Sequence, residues 1–155
     1  MKQRIYIDTS VVGGYFDEEF SADTIPFFKR VKNGEITIIV SDLLEAELLR
    51  APEFVKELIP TIGKLNIENV KLSPEAILLA DKYITAKVIG KTSRADCQHI
   101  AMATLSNADV LVSWNFKHIV NLDRIRGYNG INLQNGYKLI EIRTPKEIYK
   151  YETEE

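Results

Sequence analysis

One cysteine, Cys97, and two histidines are all the thiolate and imidazole metal ligands in 155 residues. That excludes an internal disulfide and any cysteine-rich zinc site, and it suits a reducing cytoplasm. Cys97 itself reads as a buried spectator thiol rather than a nucleophile. Positive charge is also short. The net charge is −2, so no general basic field holds nucleic acid, and any such contact has to be local or assisted by a metal or a partner. No apolar run approaches the roughly 20 residues of a membrane span. Asp8 interrupts the apolar stretch nearest the N-terminus, so neither a secretory core nor a membrane segment is expected. Gly13-Gly14 lacks the G-x-G-x-x-G spacing of a dinucleotide-binding turn and reads as a flexible spot near the start of the first helix. Linkers, repeats and low-complexity tracts are missing too. With 45% apolar and 27% charged residues, one domain over residues 1–155 with a sizeable core is expected.

What the chain does contain is an alternation of strands and helices. Ile5-Tyr6-Ile7 is a short apolar β-prone run of the kind a buried central strand shows. A helix follows over 21–32, with Ile25, Phe28 and Val31 sharing a face and Asn33-Gly34 ending it. Ile36 to Val40 is the strongest strand signal. Ser41 or Asp42 caps a helix through Arg50, Ala51-Pro52 stops it, and a second helix spans about 52–59. Residues 67–72 form a weak strand or an extended linker. Ser73-Pro74-Glu75 opens a helix that carries Ile77, Ala80, Ile84 and Val88 on one face and stops at Gly90. Another starts at Thr92 or Ser93 and runs through Ser106. Short strands are expected at 110–113 and 138–142, and Thr144-Pro145 starts a terminal helix. The Asn-, Gly-, Arg- and Tyr-rich stretch 121–137 reads equally as a substrate- or partner-facing loop and as a plain connection. Strands alternating with helices argue for a parallel sheet covered on both faces.

In such a sheet the strand-to-helix junctions open on one edge, where ligands bind. Asp8 follows the first strand directly; there it is equally a helix N-cap or a functional carboxylate. Glu45 and Glu47 lie in the helix after the second strand. Two residues apart on a helix, they cannot both face the rim; Glu47, beside Leu44 and Leu48, turns inward and Glu45 faces solvent. Asp96 begins the helix near Ser93, and Ser113-Trp114-Asn115 follows the fourth strand. Three acids and one amide therefore meet at one rim. A hard cation such as Mg²⁺ or Mn²⁺ is the physical reason to gather carboxylates, because it takes oxygen ligands and leaves water positions open for a phosphate. Asp109 sits one strand length earlier, at the opposite end.

Taken in order, Ile5-Tyr6-Ile7-Asp8-Thr9-Ser10-Val11, Ala46-Glu47-Leu48-Leu49, Ala95-Asp96-Cys97-Gln98-His99-Ile100-Ala101-Met102-Ala103 and Val110-Leu111-Val112-Ser113-Trp114-Asn115 resemble a PIN domain over nearly the whole chain. The resemblance implies a Rossmann-like α/β/α sandwich with a mostly parallel sheet of about four to five strands. It implies metal-dependent endoribonuclease activity, with Asp8, Glu47 and Asp96 as the acids that bind Mg²⁺ or Mn²⁺. Many small members are VapC-type toxins, held by an antitoxin and commonly dimeric, acting on RNA in the cytoplasm. The fourth motif departs from the family's Thr-x-Asp: Asn115 stands where the last acid usually does, offering an amide oxygen without a charge.

Around these acids, His99 lies one turn after Asp96 and reads as a hydrogen-bonded core histidine or a neighbour of the metal. Arg94, Lys117 and His118 are candidate phosphate contacts. Trp114 reads as a packing plug, or as a surface for stacking a base. Two other function classes compete. One is a non-catalytic module of the same fold binding RNA or a protein. The other is a doubly wound phosphatase, which Ser10 in place of a second Asp disfavours, or a receiver domain, which wants an acidic pair where Asp8 stands alone.

Overall fold

The computed structural model describes residues 2–88 and 93–150. Five strands form one sheet: β1 (Gln3–Ile7), β2 (Ile36–Ser41), β3 (Ile67–Val70), β4 (Val110–Val112) and β5 (Ile142–Arg143), in the order β3-β2-β1-β4-β5 with every pairing parallel. The helices are α1 (Thr9–Gly14), α2 (Ser21–Lys32), α3 (Asp42–Leu48), α4 (Glu53–Lys56), α5 (Pro74–Thr85), α6 (Arg94–Leu105), α7 (Leu122–Gln134) and α8 (Pro145–Lys150). The α/β/α sandwich and the parallel sheet are as the sequence predicts.

Alternation along β1 divides the core. Ile5 and Ile7 point to one face, where they pack with Val11, Phe27, Phe28, Leu44 and Trp114. Tyr6 points to the other, among Leu79, Tyr83, Ile100, Ala101 and Tyr128. Side chains two residues apart share a face, so one buried strand serves both layers. Ser73 and Ser41 cap their helices, their hydroxyls accepting from Ala76 N at 3.1 Å and Leu44 N at 3.0 Å. Asp42, the other expected cap, instead accepts from Leu72 N at 2.9 Å. Gly34, at φ +79, ends α2 in the left-handed conformation a glycine adopts without strain.

The structure corrects several expectations. On α2 the buried residues are Thr24, Phe27, Phe28 and Val31, with Ile25 only half-buried. On α5 the inward face is Ala76, Leu79, Ala80 and Tyr83, and Ile77 is exposed. Helix α3 stops at Leu48, two residues short of Arg50. Helix α4 is a single turn, and a 3₁₀ turn at Ile59–Thr61 replaces its expected end. Helix α5 stops at Thr85, short of the predicted stop at Gly90, so Val88 is not on its face; Gly90 itself and the candidate cap Thr92 lie outside the described residues.

Residues 121–137 are not a loop but α7. Asn121 caps it, its Oδ1 accepting from Asp123 N and Arg124 N at 3.1 and 3.3 Å. Two of its polar residues, Tyr128 and Asn132, are buried. Asn132 accepts from the Tyr83 hydroxyl at 2.5 Å and donates to Thr104 Oγ1 at 3.1 Å, and the Tyr128 hydroxyl donates to His118 O at 2.7 Å. The last strand shrinks from 138–142 to Ile142–Arg143 because the Asn129 side chain takes both backbone groups of Ile140, donating to its oxygen at 3.1 Å and accepting from its nitrogen at 2.7 Å.

Gly14 is a close-packing position rather than a flexible one. A Cβ there would lie 2.7 Å from Trp114 Cδ1 and Nε1. The indole cannot yield: it stacks on Phe20 with ring centroids 4.4 Å apart, and its Nε1 donates to Thr24 Oγ1 at 2.9 Å. Gly14→Ala is therefore expected to destabilise by about 1–3 kcal/mol, the usual cost of overpacking. A Cβ at Gly13 meets nothing within 4 Å, so Gly13→Ala is expected to be neutral or to stabilise by up to about 1 kcal/mol. Denaturant melts of the two variants check the contrast.

Candidate functional site

Register brings the first acid to the sheet's carboxyl edge. Ile7 pairs with Val112, so Asp8 and Ser113 leave the sheet side by side. Asp8 occupies the N-cap position of α1 but makes no side-chain cap bond. Its carboxylate is only 3% exposed. Ser10 Oγ donates to Oδ1 and Ser113 Oγ to Oδ2, both at 2.6 Å. Those hydroxyls are oriented in turn by backbone: Trp114 N donates to Ser10 Oγ and Asn115 N to Ser113 Oγ, each at 2.9 Å. Burial pushes the Asp8 carboxyl above its ordinary range, and the charge of His99 and the two serine bonds only partly offset this. Asp8 is thus the N-cap residue of α1 by position, with its two carboxylate oxygens bonded by the serines.

Glu47 reaches the same rim from α3, but its side chain is 36% exposed rather than turned inward; Glu45 is exposed, as expected. Thr9 Oγ1 donates to Glu47 Oε1 at 2.9 Å, and His99 Nε2 lies 2.7 Å from the same oxygen. His99 is buried, and its Nδ1 is 2.6 Å from the Tyr6 hydroxyl. A carboxylate only accepts, so Nε2 carries a proton; in the neutral ring Nδ1 then accepts from Tyr6. Burial acts to raise the Glu47 carboxyl, but the bond and charge of His99 and the Thr9 bond outweigh it and hold the group below its usual range.

Asp96, in the first turn of α6, is raised by burial first and then by the Asp8 charge, with a further contribution from Glu47; His118 and His99 act against these. Asp96, arriving from the junction of α5 and α6, thus lies within the field of Asp8 and Glu47, which follow β1 and β2. Asn115 faces Asp96, its Nδ2 donating at 3.3 Å, while its Oδ1 accepts from His118 N at 3.0 Å. The amide oxygen expected as a ligand is occupied in closing the loop. Arg94 pairs with Asp81, and Lys117 is exposed. Trp114 is a packing plug, 8% exposed. Asp109 is at the far end of β4, accepting from Arg4 N at 2.8 Å. Burial pushes the Cys97 thiol up to about 12, which suits a spectator and not a nucleophile.

Sequence reasoning missed Thr9, Ser10, Ser113 and Tyr6 as the groups that orient the acids. The available signal is a hydroxyl residue placed at or just after the end of β1 and of β4. All donors at the rim are oxygens, which fits a hard divalent cation. Among the described residues, no three Asp, Glu, His or Cys side chains stand close enough to grip an ion as they are placed. The donor type and the excess of carboxylate charge are of the kind such an ion takes.

No protein-family model and no curated protein matches the chain. Solved structures do. A chain of VapBC2 from Rickettsia felis, crystallised with a DNA fragment from its promoter, aligns over 92% of this chain and 98% of its own at 15% identity and TM-score 0.56. A chain of FitAcB from Neisseria gonorrhoeae aligns over 91% and 97% at 12% identity, again with TM-score 0.56. The fold is that of a PIN domain. In this PIN fold the carboxyl edge of β1, β2 and β4 carries Asp8, Glu47 and Asn115, with Asp96 arriving from α6. No helix among the described residues is long and apolar enough to cross a membrane.

Proposed function

We propose that this protein is a divalent-cation-dependent endoribonuclease and the toxin of a toxin–antitoxin pair, acting in the cytoplasm and working as a homodimer. The observation that carries the catalytic reading is Asp8: a nearly fully buried carboxylate, pushed up by burial, beside a second raised carboxylate, Asp96. Such an arrangement costs stability, and functional sites are where that cost is tolerated. The toxin reading rests on the fold shared with VapBC2 and FitAcB, both toxin–antitoxin complexes.

In this reading Asp8, Glu47 and Asp96 hold Mg²⁺ or Mn²⁺. When bound, the ion supplies activation of water and stabilisation of the leaving oxygen in phosphodiester cleavage. Ser10 and Ser113 fix the Asp8 carboxylate by a bond to each oxygen. Thr9 and His99 fix Glu47. Asn115 steadies Asp96 through its amide nitrogen and adds no charge, so the site takes fewer ions than one with four acids.

Calorimetric titration of Mn²⁺ tests this, with Asp96→Asn alongside. Binding to the native protein that disappears in the variant, together with Mn²⁺-dependent cleavage of RNA, is the expected result. The uncharged Asn115 favours a second reading, a PIN-fold module that binds RNA or a protein without cutting. RNA binding that persists with no Mn²⁺ binding and no cleavage would establish that one instead.

A further inference from the structure

Phe116 stands out on the rim. It is 50% exposed, yet it belongs to a loop tied to the acids. The residue before it, Asn115, donates to Asp96 and to Ser113 Oγ; the residue before that, Trp114, donates from its backbone to Ser10 Oγ. Both hydroxyls bond Asp8. After it, the turn is closed by Ile119 N and Val120 N donating to Asn115 O at 3.0 and 2.8 Å. The ring has a floor as well. Phe20 and Trp114 are stacked at 20° between planes, and the Phe116 centroid lies 6.3 and 6.2 Å from theirs. Trp114 is locked by Thr24, so the floor is rigid. Lys117, exposed beside it, adds a local cation.

We infer that Phe116 is a stacking platform for one unpaired nucleobase of the RNA whose phosphate lies over Asp8 and Asp96. This rests on the ribonuclease reading. Three points single out this occupant. The net charge of −2 leaves no general field to hold RNA, so affinity has to come from stacking and a few cations. A phenyl ring has no polar handle, and every base offers a π-face to it, so the contact is tolerant of sequence. A base in a duplex is already stacked and beyond reach of a surface ring, so the substrate is single-stranded at this position.

The test uses the full chain carrying Asp8→Asn, which prevents cleavage, and labelled single-stranded oligouridylate and oligoadenylate probes. Anisotropy is read for Phe116, Phe116→Ala, Phe116→Leu and Phe116→Tyr. Phe116→Ala is expected to weaken binding about five- to hundredfold, the usual worth of one stacked base. Phe116→Tyr is expected to stay within about twofold, and Phe116→Leu to follow Ala, because stacking needs a π-face. A 2-aminopurine placed in the probe is expected to lose its quenching in the Ala and Leu chains only. Equal binding by all four chains, binding by none, or full binding by Phe116→Leu would overturn the inference. So would a loss confined to self-association in sedimentation, which would make the ring a protein contact. The two readings fail separately. Native protein that neither binds Mn²⁺ nor cleaves RNA ends the ribonuclease reading, whereas cleavage with an unchanged KM in Phe116→Ala ends only the platform.

Discussion

Asp8→Asn is expected to reduce cation-dependent RNA cleavage by at least about 100-fold, since losing even a group that only orients a ligand typically costs about 10–100-fold. The same variant is expected to be more stable than the native chain in EDTA at pH 7. Asparagine keeps the shape, and one hydroxyl still donates to its oxygen while the other accepts from its amide. What it removes is a buried charge. The Asp8 carboxyl is raised in the folded state, so its favourable contribution is present below the unfolded value and lost as pH rises through the folded one. Any ionised fraction of the Asp8 carboxyl therefore works against folding. The gain on removing it is about 1 kcal/mol, or about 2–4 °C in Tm for a chain of this size, and it shrinks as pH falls towards 4. Saturating Mn²⁺ is expected to reverse the order, because at about 100 times Kd it stabilises the native protein by about 2.7 kcal/mol and leaves the variant unmoved. Scanning calorimetry at pH 4 and 7, with and without Mn²⁺, measures all of this; a variant less stable than the native chain in EDTA at pH 7 contradicts it.

The second large effect is expected at His99. Its ring is 2% exposed and bridges Tyr6 to Glu47. His99→Ala opens a cavity, strips the Tyr6 hydroxyl of its 2.6 Å partner and releases Glu47. Together these are expected to cost about 2–4 kcal/mol of stability, a fall in Tm on the order of 10 °C. Mn²⁺ affinity is expected to drop about 10–100-fold, since Glu47 is then free to turn away. His99→Gln separates the two roles. Its terminal amide reaches as far as Nε2 and can donate to Glu47, but it cannot reproduce the ring that packs edge-on to Tyr6 at 5.7 Å. It should recover most of the metal affinity and little of the stability. Equal affinity losses in the Gln and Ala chains would show that His99 acts through packing alone.

Much of this architecture is legible in the chain. Ile5-Tyr6-Ile7 and Ile36 to Val40 are strands because β-branched and aromatic residues fit a surface buried on both sides. Ser73-Pro74-Glu75 starts α5 and Asn33-Gly34 ends α2 through contacts a few residues long. The order of the four motifs was likewise enough to suggest the fold. Stretch 121–137 was opaque for a physical reason. Its asparagines and glycines have weak helix propensity, and what holds them helical is Tyr83, Thr104 and Val88, distant in sequence. At the rim the acids could be named, but not their state. That Asp8 is buried, that Ser113 joins Ser10 on it, and that His99 holds Glu47 all depend on register between β1 and β4 and on the packing of α6 across the sheet. By itself the sequence determined the strand–helix order and that Asp8 stands at a strand end, because propensity and capping act between chain neighbours. Only the tertiary structure decided which of the acids are desolvated and what each one touches, because burial and hydrogen-bond partners come from residues brought together across the whole fold.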